Sequence, residues 1–205
     1  MPDPGAAVVV RRARSDDSRA VAALVYSTSS GLYDHLLKDR ERALGFIEAT
    51  FRRSGSGAGR ELTWVAEREG EVAGALVGFP AGAAVGLARR FAWMVLRHTP
   101  PWRWPAVVRL QWLGERQAPL PVAASFYVDA LATDPGHRRR GVATALLERA
   151  EKHARAVGLR ALSVDTPESN EGGLALYRSA GFRVVERVDT KPPIPRAVLL
   201  AKDLK

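Results

Sequence analysis

Apolar residues recur along this chain with two periods, and their order lays out a succession of strands and helices. Residues 8–13 are apolar and β-branched and give way to Ser15-Asp16-Asp17, whose side-chain oxygens suit a helix start; a strand and then a helix to about Ser27 are expected. In residues 38–53, Ala43, Leu44, Ile47 and Phe51 stand three and four apart, the spacing of a second helix. The glycine- and serine-rich residues 54–59 end it as a loop. Residues 62–67 and 71–79 flank a Glu69-Gly70 turn and read as an antiparallel hairpin.

The second half repeats the strand and helix signals more sharply. Residues 126–133 are a strand, Thr133-Asp134-Pro135-Gly136-His137 turns the chain, and 140–157 form the clearest helix. That helix has Val142, Leu146, Leu147 and Ala150 on one side and Gly158 as a stop. A strand over 159–165, a helix over 172–179, a strand over 182–188 and a short last strand over 197–201 follow. The mixture predicts an α/β or α+β fold, a sheet with helices on both faces.

Residues 81–121 interrupt this scheme. They read as a helix over 84–97, a proline-rich break at Thr99-Pro100-Pro101-Trp102 and a second helix over 105–114. Four of the five tryptophans, at 93, 102, 104 and 112, fall here. Leu87, Phe91, Met94 and Val95 form one apolar stripe. The segment is expected to wall a pocket or act as a lid, with plain packing as the competing reading. A membrane-surface helix, suggested by Arg89, Arg90 and Arg97, ranks behind both.

Composition narrows the function classes. At 205 residues and 46% hydrophobic, the chain suits one domain over 1–205. There is no cysteine, which excludes disulfides, thiolate metal sites and a cysteine nucleophile. No apolar run approaches the roughly 20 residues of a spanning helix, and no signal segment opens the chain, so a cytoplasmic protein is expected. The net charge of +9 is spread from Arg11 to Arg196 with acids interleaved, and only Arg138-Arg139-Arg140 is a tight run. Neither nucleic acid nor a membrane is expected as partner, while a polyanionic small ligand fits and a homodimer stays open.

The chemistry concentrates where strand 126–133 turns into helix 140–157. A helix start offers free amides and the positive end of its dipole, a suitable site for pyrophosphate. Gly141 and Ala143 are small enough to let phosphates reach the main chain, with arginines at the rim. The run Arg138-Arg139-Arg140-Gly141-Val142-Ala143-Thr144 contains Arg-x-x-Gly-x-Ala between strand and helix. It resembles the acetyl-CoA signature of the GNAT superfamily of N-acetyltransferases, Gln/Arg-x-x-Gly-x-Gly/Ala. Further on, the stretch from Asn170 to Phe182 is similar to the family's Asn-x-x-Ala-x-x-Leu-Tyr-x-x-x-Gly-Phe, with Gly173 where alanine is usual.

The resemblance covers about 126–188 and implies a GNAT fold, a mixed sheet of about six to seven strands with the helical insert before the fourth. It implies acetyl-CoA as cosubstrate and a primary amine as acceptor. It also implies that strand 126–133 splays from strand 159–165, so that the pantetheine arm lies along the gap like an added strand. Main-chain groups of Leu131, Ala132 and Thr133 would hold that arm, the Arg138, Arg139, Arg140, Gly141, Val142, Ala143 and Thr144 run the pyrophosphate, and Asn170, with Gly173 beside it, the pantetheine. Asn170 also reads as a helix cap, and Leu131 as core. Tyr177 matches the family tyrosine near the CoA sulfur and would protonate the departing thiolate, although it also reads as a core anchor.

Asp129 is the candidate general base, a solvated or ion-paired aspartate being the equal alternative. Strict strand alternation would set it on one face with Tyr127, Leu131 and Thr133. His35, His98, His137 and His153 form no metal pattern, so no metal is expected, and His137 falls in the phosphate turn. Ser163, Asp165 and His153 lack the Gly-x-Ser-x-Gly elbow a hydrolase triad would want. The acceptor is not legible; Tyr33, Asp34, His35 and the tryptophan-rich insert are where its pocket is expected. The rival reading is an acyl-CoA sensor that binds without turnover.

Overall fold

In the computed structural model, residues 7–28, 33, 37, 39–53, 59–117, 119–190 and 195–204 are described. Strand β1 (Val9–Arg12) leads through a 3-10 turn into helix α1 (Ser18–Thr28), and helix α2 (Arg40–Arg52) follows. Asp39 caps α2 by accepting from the Arg42 amide at 2.8 Å. Strands β2 (Thr63–Arg68) and β3 (Glu71–Pro80) form the expected hairpin, closed at Glu69 and Gly70, both with positive φ. The insert supplies α3 (Ala84–Arg97) and α4 (Trp104–Gln117). Then come β4 (Ser125–Thr133), α5 (Val142–Ala156), β5 (Ala161–Pro167), α6 (Glu171–Ser179), β6 (Arg183–Val188) and β7 (Ala197–Asp203). The glycine-rich loop falls mostly outside the described residues, as do Asp34 and His35.

The seven strands make one sheet in the order β1-β2-β3-β4-β5-β7-β6. Every neighbouring pair is antiparallel except β4 and β5. Two apolar clusters cover its faces, as a sheet with both sides buried requires. The first joins Val21, Val25, Phe46, Ile47 and Phe51 of α1 and α2 to Val65, Ala75, Val77, Ala130 and Ala132 of the sheet. The second joins Leu146, Leu147 and Ala150 of α5, and Leu174 and Tyr177 of α6, to Trp64, Leu76, Phe126, Val128, Leu162 and Val164.

The insert divides by face. Met94, Val95 and Val107 are buried in the first cluster with Phe91 packed against it, so the inner side of α3 and α4 is a packing face. The four tryptophans stand outside that core.

A β-bulge interrupts β4. Val77 of β3 pairs with Ala130 while the next residue, Gly78, pairs with Val128, which leaves Asp129 opposite no partner. Phe126 and Val128 therefore enter the second cluster, whereas Ala130 and Ala132 enter the first and Leu131 packs on the second. The single shared face expected for Tyr127, Asp129, Leu131 and Thr133 does not exist. An extra residue shifts the two-residue period by one, so Tyr127 and Leu131 lie on opposite faces.

Candidate active site

The parallel pairing of β4 with β5 runs from Ser125 and Ala161 to Val128 and Val164, and stops there. Both strands continue, bonded among the described residues only to β3 for β4, as far as Thr133, and only to β7 for β5, as far as Pro167. The expected splay is present, and it leaves the main chain of residues 129–133 as an open strand edge along a slot. An open edge offers alternating donors and acceptors to any extended amide-bearing ligand.

The slot leads to the start of α5. Asp134 donates its amide to the Ala73 carbonyl at 2.9 Å, and its side chain accepts from Gly136 at 2.9 Å, fixing the turn at the end of β4. Gly74, paired with Thr133, lets the helix close in: a Cβ there would lie 2.6 Å from Val142 Cγ1. Arg139 and Gly141 both take left-handed conformations, with φ of 62° and 78°. The helix therefore starts at Val142, two residues later than the sequence suggests.

Gly141 caps the helix without a side chain, so it gives the first-turn amides of Val142, Ala143 and Thr144 no capping oxygen. A Cβ on Gly141 would meet nothing within 4 Å, which marks open space over those amides. Arg138 and Arg139 are exposed beside them and Arg140 is half-buried. His137 Nδ1, in the same turn, is buried without a hydrogen-bond partner among the described residues. This arrangement fits a pyrophosphate: an uncapped positive helix end, space and cations.

Across the slot, Asn170 caps α6, accepting from the Gly173 amide at 3.0 Å and donating from Nδ2 to Thr166 Oγ1 at 2.8 Å. An amide side chain has two donors and two acceptor lone pairs, so capping leaves one of each for a ligand. A methyl at Gly173 would stand 2.4 Å from Asn170 Nδ2, so alanine there would displace the Asn170 side chain from this cap geometry.

Acidic and phenolic groups gather where the strands part. The Tyr127 hydroxyl donates to the Asp165 carboxylate, bridging β4 and β5 just past their last pair. Sequence spacing offers Asp165 only as part of a hydrolase triad that lacks its elbow; its linear signal is that it is the one charged residue of β5. Burial raises the Asp165 carboxyl above the usual range, opposed by the Tyr127 hydrogen bond. Asp129 is pushed up to about 7, first by the protein walls around it and then by the negative charge of Asp165, although its side chain still meets solvent within the cleft.

Tyr177 is 5% exposed and packs its ring on Phe182 at 5.6 Å. Burial and then Asp165 hold its hydroxyl well above the ordinary phenol range, so it stays protonated. Tyr33, packed against the first apolar cluster, is raised by burial and then by the charge of Asp129. Phe91 of α3 meets the Tyr33 ring edge-on at 6.2 Å, so the inner face of the insert borders this region. Among the described residues no group of three or more histidine, aspartate or glutamate side chains could hold a metal ion.

Residues 27–182 match the acetyltransferase (GNAT) family. The chain belongs to that family. It is an acetyltransferase-family enzyme whose relatives use acetyl-CoA to acylate acceptors such as amines. Its fold is shared with solved structures of low identity. An N-acetyltransferase from Staphylococcus aureus Mu50 is 22% identical and superposes with a TM-score of 0.71, over 94% of this chain and 99% of that one. Another structure described only as an acetyltransferase is 22% identical, with a TM-score of 0.69 over 96% and 100%. The ribosomal-protein-S18-alanine N-acetyltransferase of Escherichia coli is 15% identical, with a TM-score of 0.55 over 97% and 95%. No curated protein sequence matches the chain. The GNAT signatures lie at the open start of α5 and at α6, on the two sides of the slot.

Proposed function

We propose that this GNAT enzyme transfers an acetyl group from acetyl-CoA to the primary amine of a cationic acceptor, with Asp129 as general base and Tyr177 as general acid. The observation that carries the reading is the parting of β4 from β5 after Val128 and Val164, with the uncapped start of α5 at one end and the acid–phenol cluster at the branch. Acetyl-CoA, when bound, supplies the activated thioester.

The chain's own groups do the rest. The open edge over Leu131, Ala132 and Thr133 aligns an extended amide-bearing arm, while amides of residues 139–144 and the rim arginines take the pyrophosphate. Asn170 keeps one donor and one acceptor for the arm. Asp129 and Asp165 attract an ammonium group, a local acidity that stands out in a chain of net charge +9. With a pKa of about 7, Asp129 would take one ammonium proton near neutrality, freeing the amine nitrogen to bond to the thioester carbon; as the carbon–sulfur bond breaks, protonated Tyr177 would give its proton to the sulfur and be reprotonated by the second proton that the nitrogen loses. Main-chain amides near Leu131 to Thr133 are suited to the negative charge that develops on the acyl oxygen.

The test is a panel of amines assayed for CoA release with the purified full chain. Turnover with cationic primary amines supports the proposal. Acetyl-CoA binding without turnover across peptides, polyamines, aminoglycosides and amino acids would turn the reading to a sensor.

A further inference from the structure

The outer surface of the insert has properties that the transfer reaction does not use. Trp64 is the fifth tryptophan and is 1% exposed, whereas Trp93, Trp102, Trp104 and Trp112 are 58%, 80%, 43% and 51% exposed. They do not stand alone. Val85, Val108 and Leu120 are also exposed in this part of the chain. On α3, Val85, Arg89, Trp93 and Arg97 recur every four residues, and on α4 so do Trp104, Val108 and Trp112, which gives each helix one outward stripe.

Placement of the stripes is not loose. The Trp104 indole donates to the Leu96 and Thr99 carbonyls at 3.1 and 3.0 Å, fastening the start of α4 to the end of α3. Met94, Val95 and Val107 anchor the opposite side in the core. The helical pair is thus held with its aromatic side outward.

Charge says what covers it. Between Glu71 and Glu115 the sequence has no acidic residue, yet it has Arg89, Arg90, Arg97, Arg103 and Arg109. Two copies meeting through this face would oppose five arginines with five, so self-association is disfavoured. Indole rings flanked by arginines on amphipathic helices match a lipid headgroup boundary, where the ring bridges apolar and wet layers. Exposed valine and leucine in the same surface favour acyl chains over a nucleic acid, which offers stacking and phosphate but nothing for aliphatic groups. Among the described residues no helix is long and apolar enough to cross a membrane, so the contact would be peripheral.

We infer that the outer face of α3 and α4 docks the enzyme on an anionic lipid bilayer, laying Trp93, Trp102, Trp104 and Trp112 at the interface and setting the arginines against acidic headgroups.

The experiment is sedimentation of the full chain with phosphatidylglycerol–phosphatidylcholine vesicles and with pure phosphatidylcholine vesicles, at low and high salt, with tryptophan emission recorded alongside. Binding to the anionic vesicles, weakened by salt and accompanied by a blue shift, is expected. Each arginine near an acidic surface contributes about fivefold in partitioning, so Arg89→Glu/Arg109→Glu should lose at least about 25-fold. Trp93→Ser/Trp102→Ser, at exposed positions that leave the core intact, should lose binding and the blue shift while melting like the parent chain. Failure of the parent chain to sediment with anionic vesicles overturns the inference. So does binding that survives both variants, or a surface that instead drives dimers or captures acidic polypeptide or nucleic acid without binding vesicles.

Discussion

Replacing Gly173 with alanine tests the fit between the α6 cap and the residue that departs from the family motif. Alanine normally stabilises a helix over glycine by up to about 1 kcal/mol. Here the added methyl would meet Asn170 Nδ2 at 2.4 Å and Cγ at 2.8 Å, and the cap would have to swing away. Two bonds go with it: the N-cap, worth about 1 kcal/mol, and the bond to the buried Thr166 hydroxyl, worth about 1 kcal/mol. The net expectation for Gly173→Ala is destabilisation of about 1 kcal/mol. Asn170→Ala alone should cost about 2 kcal/mol. In that background the clash is gone, and Gly173→Ala should now stabilise, a coupling of about 2 kcal/mol. Urea unfolding of the four proteins at a common m-value reads all of these. Stabilisation by Gly173→Ala in both backgrounds would refute the reasoning.

Tyr177→Phe keeps the ring against Phe182 and removes only the proton, so folding and acetyl-CoA binding should persist while kcat falls about 10²- to 10⁴-fold; parental turnover with a chemistry-limited acceptor would make the tyrosine purely structural. With Asp129 at about 7, activity should climb as pH rises through neutrality; Asp129→Asn should lack that limb and recover only where the amine loses its proton unaided. The same shift has a stability sign: a carboxyl held above its unfolded value binds its proton more tightly when folded, so its contribution is present below about pH 4 and is lost as pH rises toward about 7. Asp129→Asn should accordingly raise Tm at pH 8 and not at pH 4, and a gain independent of pH would contradict that origin.

The elements were legible because their periods are local. The stripe on α5 and the hairpin around Glu69 and Gly70 need no distant partner to be read. Apolar periodicity puts the start of α5 at Arg140, whereas positive φ at Arg139 and Gly141 delays it to Val142. The bulge at Asp129 was invisible, since it exists only in the register of β4 against β3. Asp165 was missed for a similar reason: its partner Tyr127 is 38 residues away, and only the parallel pairing of β4 with β5 joins them. In the insert, helical spacing identified the stripe with Phe91, Met94 and Val95, but nothing in one strand of sequence says on which side a tryptophan will be left.

The central claim is that acetyl-CoA sits in the slot with its pyrophosphate on the open start of α5. Thermal unfolding of the parent chain and of Gly141→Asp, each titrated with acetyl-CoA, tests it most directly. The substituted Cβ meets no neighbour, and a left-handed φ of 78° costs a non-glycine residue about 1–2 kcal/mol, so the variant should fold while placing a carboxylate over the amides. The parent should gain about 2.7 kcal/mol at a hundredfold excess over its Kd, and the folded variant should gain nothing. No shift of the parent at saturating acetyl-CoA, or an equal shift in both proteins, would contradict the account.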